Sequence, residues 1–239
     1  MRRYFRALAA AGALFLGACA APEIPFDRTH ENQIQHIGVV TPQFPSGAHV
    51  ILASTVGQSF GLIGALIDAG LQQSRDSRFK TILEQQSFSA QDVFLAKLTS
   101  SLESEGYVVS TISFQRQGSD FATRYPLEAE PKVDAYLDLI VTGYGYIAAG
   151  IGNSTPYRPI CQVRARLVSA KDNSVLMQDL VTYNPYGRAD HMVTIAPDPA
   201  VQYTTFDQLS ADPAGSVKGL QSAIEQTADT VGKLLQRGP

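Results

Sequence analysis

Apolar positions recur along this chain with two periods, and each change of period marks an element. Ser89 to Glu105 sets Val93, Phe94, Leu98 and Leu102 at helical spacing, with Ser89 as N-cap and Gly106 as stop. Val217, Leu220, Ile224, Ala228, Val231 and Leu235 mark a second, C-terminal amphipathic helix with one core-facing stripe. Strand signals fall at Ile34 to Thr41, His49 to Thr55 and Tyr107 to Phe114. Val133 to Ala149 is rich in β-branched and aromatic residues, with Leu137, Leu139 and Val141 on one face and Tyr136, Ile140 and Tyr144 on the other. That pattern predicts a central strand covered on both sides. Arg158 to Ser169 and Ser174 to Asn184 flank the polar turn Ala170-Lys171-Asp172-Asn173 and read as a hairpin. The proline-bearing stretch 185–215 reads as one long loop, and a loop of that length is usually functional or mobile.

Strands followed by a helix, further strands and a last helix predict an α+β fold. It is a two-layer α/β arrangement in which a mixed sheet of about five strands carries amphipathic helices, one of them C-terminal. The helix ending Ser104-Glu105-Gly106-Tyr107, the strand Val108-Val109, the run from Val133 to Tyr144, the hairpin and the last helix together resemble a family. They look like periplasmic lipoproteins of the curli-secretion and penicillin-binding-protein-activator type. The resemblance implies the small α/β fold also seen at the N-terminus of the Tol–Pal translocation protein, over most of residues 34–237, and a role in the cell envelope. Fold alone fixes no ligand. The segment from Val50 to Gly70 and the long loop depart from that pattern.

The amino-terminal residues carry an address. Arg2, Arg3 and Arg6 precede the uncharged run Ala7 to Ala18, which is too short to span a bilayer and has the layout of a secretory signal. Leu16-Gly17-Ala18-Cys19 resembles the lipobox of bacterial lipoproteins, which implies a signal peptide over 1–18 and Cys19 as the lipidated first residue of the mature chain, bearing palmitate-like acyl chains. With Ala20 and Ala21 following rather than aspartate, the resemblance implies the periplasmic face of the outer membrane. Residues 19–33 then read as a lipidated flexible tether and 34–239 as a single α/β domain.

Charge narrows the partners. Of 19 basic residues the signal removes three, leaving 16 against 22 acidic ones, a formal charge of -6 with no basic cluster. Nucleic acid is excluded as an expected partner. The lipid anchor supplies the membrane, and envelope proteins of unspecified identity, or further copies of the chain in a homo-oligomer, supply the rest. With Cys19 acylated, Cys161 is the remaining thiol; its alternation with Val163, Ala165 and Leu167 places it on an apolar face. His30, His36, His49 and His191 show no ligand spacing, so neither metal nor cofactor is expected.

Three functional classes follow. The leading one is a non-catalytic binding, assembly or transport-accessory lipoprotein, with Tyr144, Tyr146, Tyr183 and Tyr186 as candidate binding surface, because tyrosine joins an apolar body to a polar tip. The second is a serine esterase, since Gly57-Gln58-Ser59-Phe60-Gly61 fits the G-x-S-x-G elbow. There Ser59 would be nucleophile, Asp138 or Asp172 the acid and His191 the base, although too few strands precede the elbow for a complete hydrolase sheet. The third is an oligomer inserting residues 50–69 into the membrane. It rests on the uncharged run Val50 to Ile67 and on Ala53, Gly57, Gly61, Ala65 and Ala69 recurring every fourth residue.

Overall fold

The computed structural model describes residues 23–54, 69–113, 116, 118, 120–126, 131–150, 155–186 and 191–238. Seven strands form one mixed sheet: β1 (His36–Val40), β2 (His49–Ser54), β3 (Val108–Ile112), β4 (Ala135–Gly150), β5 (Arg158–Ser169), β6 (Val175–Tyr183) and β7 (Val193–Ile195). The helices are α1 (Ala69–Gln85), α2 (Ala90–Ser104), α3 (Phe206–Ala211) and α4 (Pro213–Lys233). The long strand β4 organises the sheet. Along one edge it pairs in parallel first with β1, through residues 135–137, and then with β2, through residues 145–150. Along the other edge it pairs antiparallel with β5, which continues to β6 and β7. β3 closes the far side, parallel to β1. The fold is α+β as expected, with seven strands rather than about five.

One face of the sheet carries the helices. Phe94, Leu98 and Leu102 of α2 and Leu220, Ile224, Ala228 and Val231 of α4 are buried in the same cluster as Leu137, Leu139, Val163 and Leu167. Ser89 caps α2 as expected, accepting a hydrogen bond from Asp92 N, and Gly106 follows the helix at φ 84. Cys161 lies fully buried on this face; burial pushes its thiol up to about 12. A smaller cluster, Val40, Ile112, Tyr125, Val133, Tyr136, Val168 and Ala170, covers one end of the opposite face.

A bulge in β4 corrects the facing read from alternation. Val141 pairs with Val163, whereas Gly143 pairs with Gln162, so Thr142 is an extra residue and the alternation slips by one. Tyr144 and Tyr146 therefore join Leu137, Leu139 and Val141 on the helix face. Tyr144 does not share the face of Tyr136.

Two segments read as irregular are built into the fold. Residues 23–33, assigned to the tether, include Ile24, which exchanges two backbone hydrogen bonds of 2.8 Å with Gln178 on the edge of β6. A 3-10 turn, Arg28–Gln33, follows, capped by Asp27, and Glu31 Oε2 accepts from Gly238 N at 2.9 Å. The stretch 185–215 contributes β7, α3 and a bridge between Tyr203 and Tyr157. Neither was legible from spacing, because each is held by partners distant in sequence.

Candidate functional site

The open face of the sheet keeps a groove of about 500 Å³ at the end away from the smaller cluster. Its floor is a polar ladder across three strands. The Thr142 hydroxyl donates to Gln162 Oε1 at 2.8 Å, and Gln162 Nε2 donates to Thr182 Oγ1 at 3.2 Å. The bulge creates the first rung, since it is Thr142, the extra residue, that stands on this face. Apolar walls come from Ile51, Ile160, Leu180, Pro185, Tyr186 and Met192. A volume in this range, apolar walls and a few fixed polar groups are the ordinary properties of a ligand site.

His49 closes one end of the groove. Its Nδ1–H donates to Asp76 Oδ2 at 2.9 Å, while Asp76 Oδ1 accepts from Val50 N at 2.8 Å and from Gln72 Nε2 at 2.7 Å. Gln72 Nε2 also reaches Val50 O at 3.1 Å. Two side chains of α1 thus occupy the outward N–H and C=O of Val50, which otherwise would leave the edge of β2 open to another strand. They fix the imidazole as well. Sequence reasoning missed this pair: His49 and Asp76 lie on different elements with no motif spacing between them.

The four tyrosines separate. Tyr186 is 48% exposed on the groove wall, whereas the Tyr144 side chain is turned to the helix face and packs against Phe44. Tyr146 and Tyr183 are interior residues. The Tyr146 hydroxyl donates to Ser216 O of α4 at 2.7 Å, and the Tyr183 hydroxyl accepts from Asp198 N at 2.8 Å. Burial raises the ionisation of the Tyr146 hydroxyl well above the ordinary range for tyrosine.

Cys19 and Ser59 lie outside the described residues, as does most of the 50–69 segment. Its described beginning is a sheet strand, with Val50 fully buried between Asp76 and β4. Among the described residues, no helix is long and apolar enough to cross a membrane. His191 is exposed, at φ 72, and its Nδ1 lies 3.9 Å from Glu23 Oε2. Neither candidate acid is its partner. Asp138 is fully buried, ion-paired with Arg116 and hydrogen-bonded by the Tyr125 hydroxyl at 2.5 Å and Ala122 N at 3.0 Å. Asp172 accepts from Ser174 Oγ and N within the hairpin turn; the serine hydroxyl and then its N–H hold the carboxyl down at about 2.

A second cleft, of about 550 Å³, lies between Ile34, Asp134 and the hairpin turn. Its carboxylates serve the fold: Asp134 Oδ2 accepts from both Gln35 N and His36 N at 2.9 Å, and Asp172 closes the turn.

No protein-family model matches the chain, and no curated protein matches it. Among solved structures, it is similar to protein XCC0632 from Xanthomonas campestris, described as DUF330, at 13% identity and a TM-score of 0.41. That match covers 90% of this chain and 87% of the other. A PelC dodecamer from Paraburkholderia phytofirmans matches at 12% identity and a TM-score of 0.34, covering 87% and 91%. Lipoprotein GNA1162 from Neisseria meningitidis matches at 15% identity and a TM-score of 0.29, covering 62% and 81%. At these identities and scores, the similarity extends no further than a partial likeness of shape.

Proposed function

We propose that this chain is a lipid-anchored, non-catalytic binding or assembly factor of the bacterial cell envelope, held at the periplasmic face of the outer membrane by acyl chains on Cys19. The run Leu16-Gly17-Ala18-Cys19 behind a basic, then apolar, leader carries the reading. Several acyl chains, at about 0.8 kcal/mol per buried methylene, make such an anchor effectively permanent. Glu23 follows Cys19 by four residues and is next to the pairing of Ile24 with β6. Four extended residues reach at most about 14 Å, so the bilayer lies close to that edge of the sheet. The groove supports binding over catalysis, because its floor groups are hydrogen-bonded to one another and its walls are apolar.

Mass spectrometry of the amino terminus tests the anchor. Triacylated Cys19 in wild type and loss of membrane fractionation in Cys19→Ala are expected; an unmodified terminus, or a wild-type protein free in the soluble fraction, refutes it. Labelling with a fluorophosphonate probe separates the esterase reading, which requires covalent capture at Ser59.

A further inference from the structure

The position of Glu23 and Ile24 bears on what fills the groove. Ile24 pairs antiparallel with Gln178 of β6, two residues before Leu180, which lines the groove. Glu23 lies beside His191, and the next residue, Met192, is part of the groove wall. Cys19 is then within about 14 Å of Glu23 along a fully extended chain. The groove is suited to an uncharged, elongated apolar group. Among the described residues that line it, His49 is the one ionisable group besides tyrosine and is bonded to Asp76, and the ladder Thr142, Gln162, Thr182 is hydrogen-bonded along its length.

We propose that the groove between Ile51, Leu180, Tyr186 and Met192 is the docking site for one acyl chain carried on Cys19 of the same molecule. The inference rests on the acylated anchor proposed above. Because the ligand is tethered a few residues away, docking is intramolecular, and even a shallow groove of low intrinsic affinity is occupied at the resulting effective concentration. A docked chain is shielded from water when the protein is away from a bilayer, and it turns the groove-bearing face toward the lipid when the remaining chains insert. Tyr186, half-exposed on the rim, has the amphipathic character suited to that boundary.

The test uses the full acylated protein in vesicles of deuterated phospholipid, with the photoreactive residue p-benzoylphenylalanine in place of Met192 and, as a control, in place of Val108 on the far edge strand. Irradiation at position 192 is expected to join its peptide to the amino-terminal lipopeptide bearing Cys19, and irradiation at 108 to give no such adduct. Leu180→Gln, which puts a polar group in the wall, is expected to reduce the adduct severalfold while circular dichroism stays unchanged. Adducts to deuterated chains alone, adducts between isotopically distinct copies of the protein, or no adduct at position 192 would each overturn the proposal. An intact mass lacking acyl chains would instead refute the anchor itself, and the two failures are read separately.

Discussion

At the scale of single residues, the sheet's open face is governed by one buried charge. Asp138 has no exposed surface, and three groups balance it: the Arg116 guanidinium, the Tyr125 hydroxyl and Ala122 N. Arg116 also donates to the carbonyls of Thr41, just after β1, and of Leu139 in β4, at 3.2 and 3.3 Å, so it holds the two backbones together. Removing the carboxylate leaves a largely buried guanidinium without its counter-charge. Asp138→Ala is therefore expected to lower unfolding stability by about 3–5 kcal/mol, measured by urea denaturation. Burial first, and then the adjacent Asp138 carboxylate, raises the Tyr125 hydroxyl above its ordinary ionisation range, so it stays a donor at any pH the fold survives. Cys161 gives a simpler test. Its burial keeps the thiol protonated, so the native protein is expected to be unreactive to a disulfide reagent at pH 8 and to yield one thiol on unfolding. Rapid native labelling would show that the helix layer opens far more readily than its packing implies.

Among elements, what could be read in advance was what repeats locally. The α2 stripe with its Ser89 cap, the α4 stripe and the β5–β6 hairpin follow from periods of 3.6 and 2 and from turn residues. The bulge at Thr142 could not be read, because one inserted residue changes which face a side chain takes without altering composition. It misplaced Tyr144 and concealed the Thr142–Gln162–Thr182 ladder. Just beyond the bulge, Gly145 adopts φ 137 and lies against the His49 backbone, where a β-carbon would collide with the His49 carbonyl oxygen. Gly145→Ala is expected to cost about 1–3 kcal/mol from backbone strain alone and to force β2 away from β4. Faster amide exchange at Val50 than at Cys161 in that variant would report the local opening. The α2–α4 contact carries a pH signature. Burial opposes ionisation of Asp229, yet Lys233 and Lys97 outweigh it and lower its pKa below the ordinary 3.8. A depressed carboxylate contributes its full stability above pH 3.8 and loses it as pH falls through the folded value. The stability gap between wild type and Asp229→Asn is thus expected to be small at neutral pH, as exposed pairs are, and to vanish under acid titration below that point.

For the molecule as a whole, the amino-terminal arm ties the sheet edge to the carboxyl end of the chain. Pro22 and Pro25 among polar residues have the composition of a linker, and nothing local distinguishes a linker from an arm whose partners lie far along the chain. Those partners are Gln178 for Ile24 and Gly238 for Glu31, while Arg237 donates to Ile34 O at 2.9 Å from the carboxyl end. Phe26 packs against the main core as well. The two ends of the described chain therefore brace one another, and residues 23–33 are joined to a fixed point on β6. Two soluble forms of the domain test this, one beginning at Glu23 and one at Ile34. Shortening removes the Ile24 pair and the Glu31 contact, and at about 1 kcal/mol for each net hydrogen bond the shorter form is expected to be less stable by about 3 kcal/mol. Loss of Phe26 packing adds to that difference. Equal denaturation midpoints would instead make residues 23–33 a passive spacer. Destabilisation accompanied by faster amide exchange at Gln178, with Phe94 in α2 unaffected, would place the arm's effect on β6, the strand whose edge Ile24 covers.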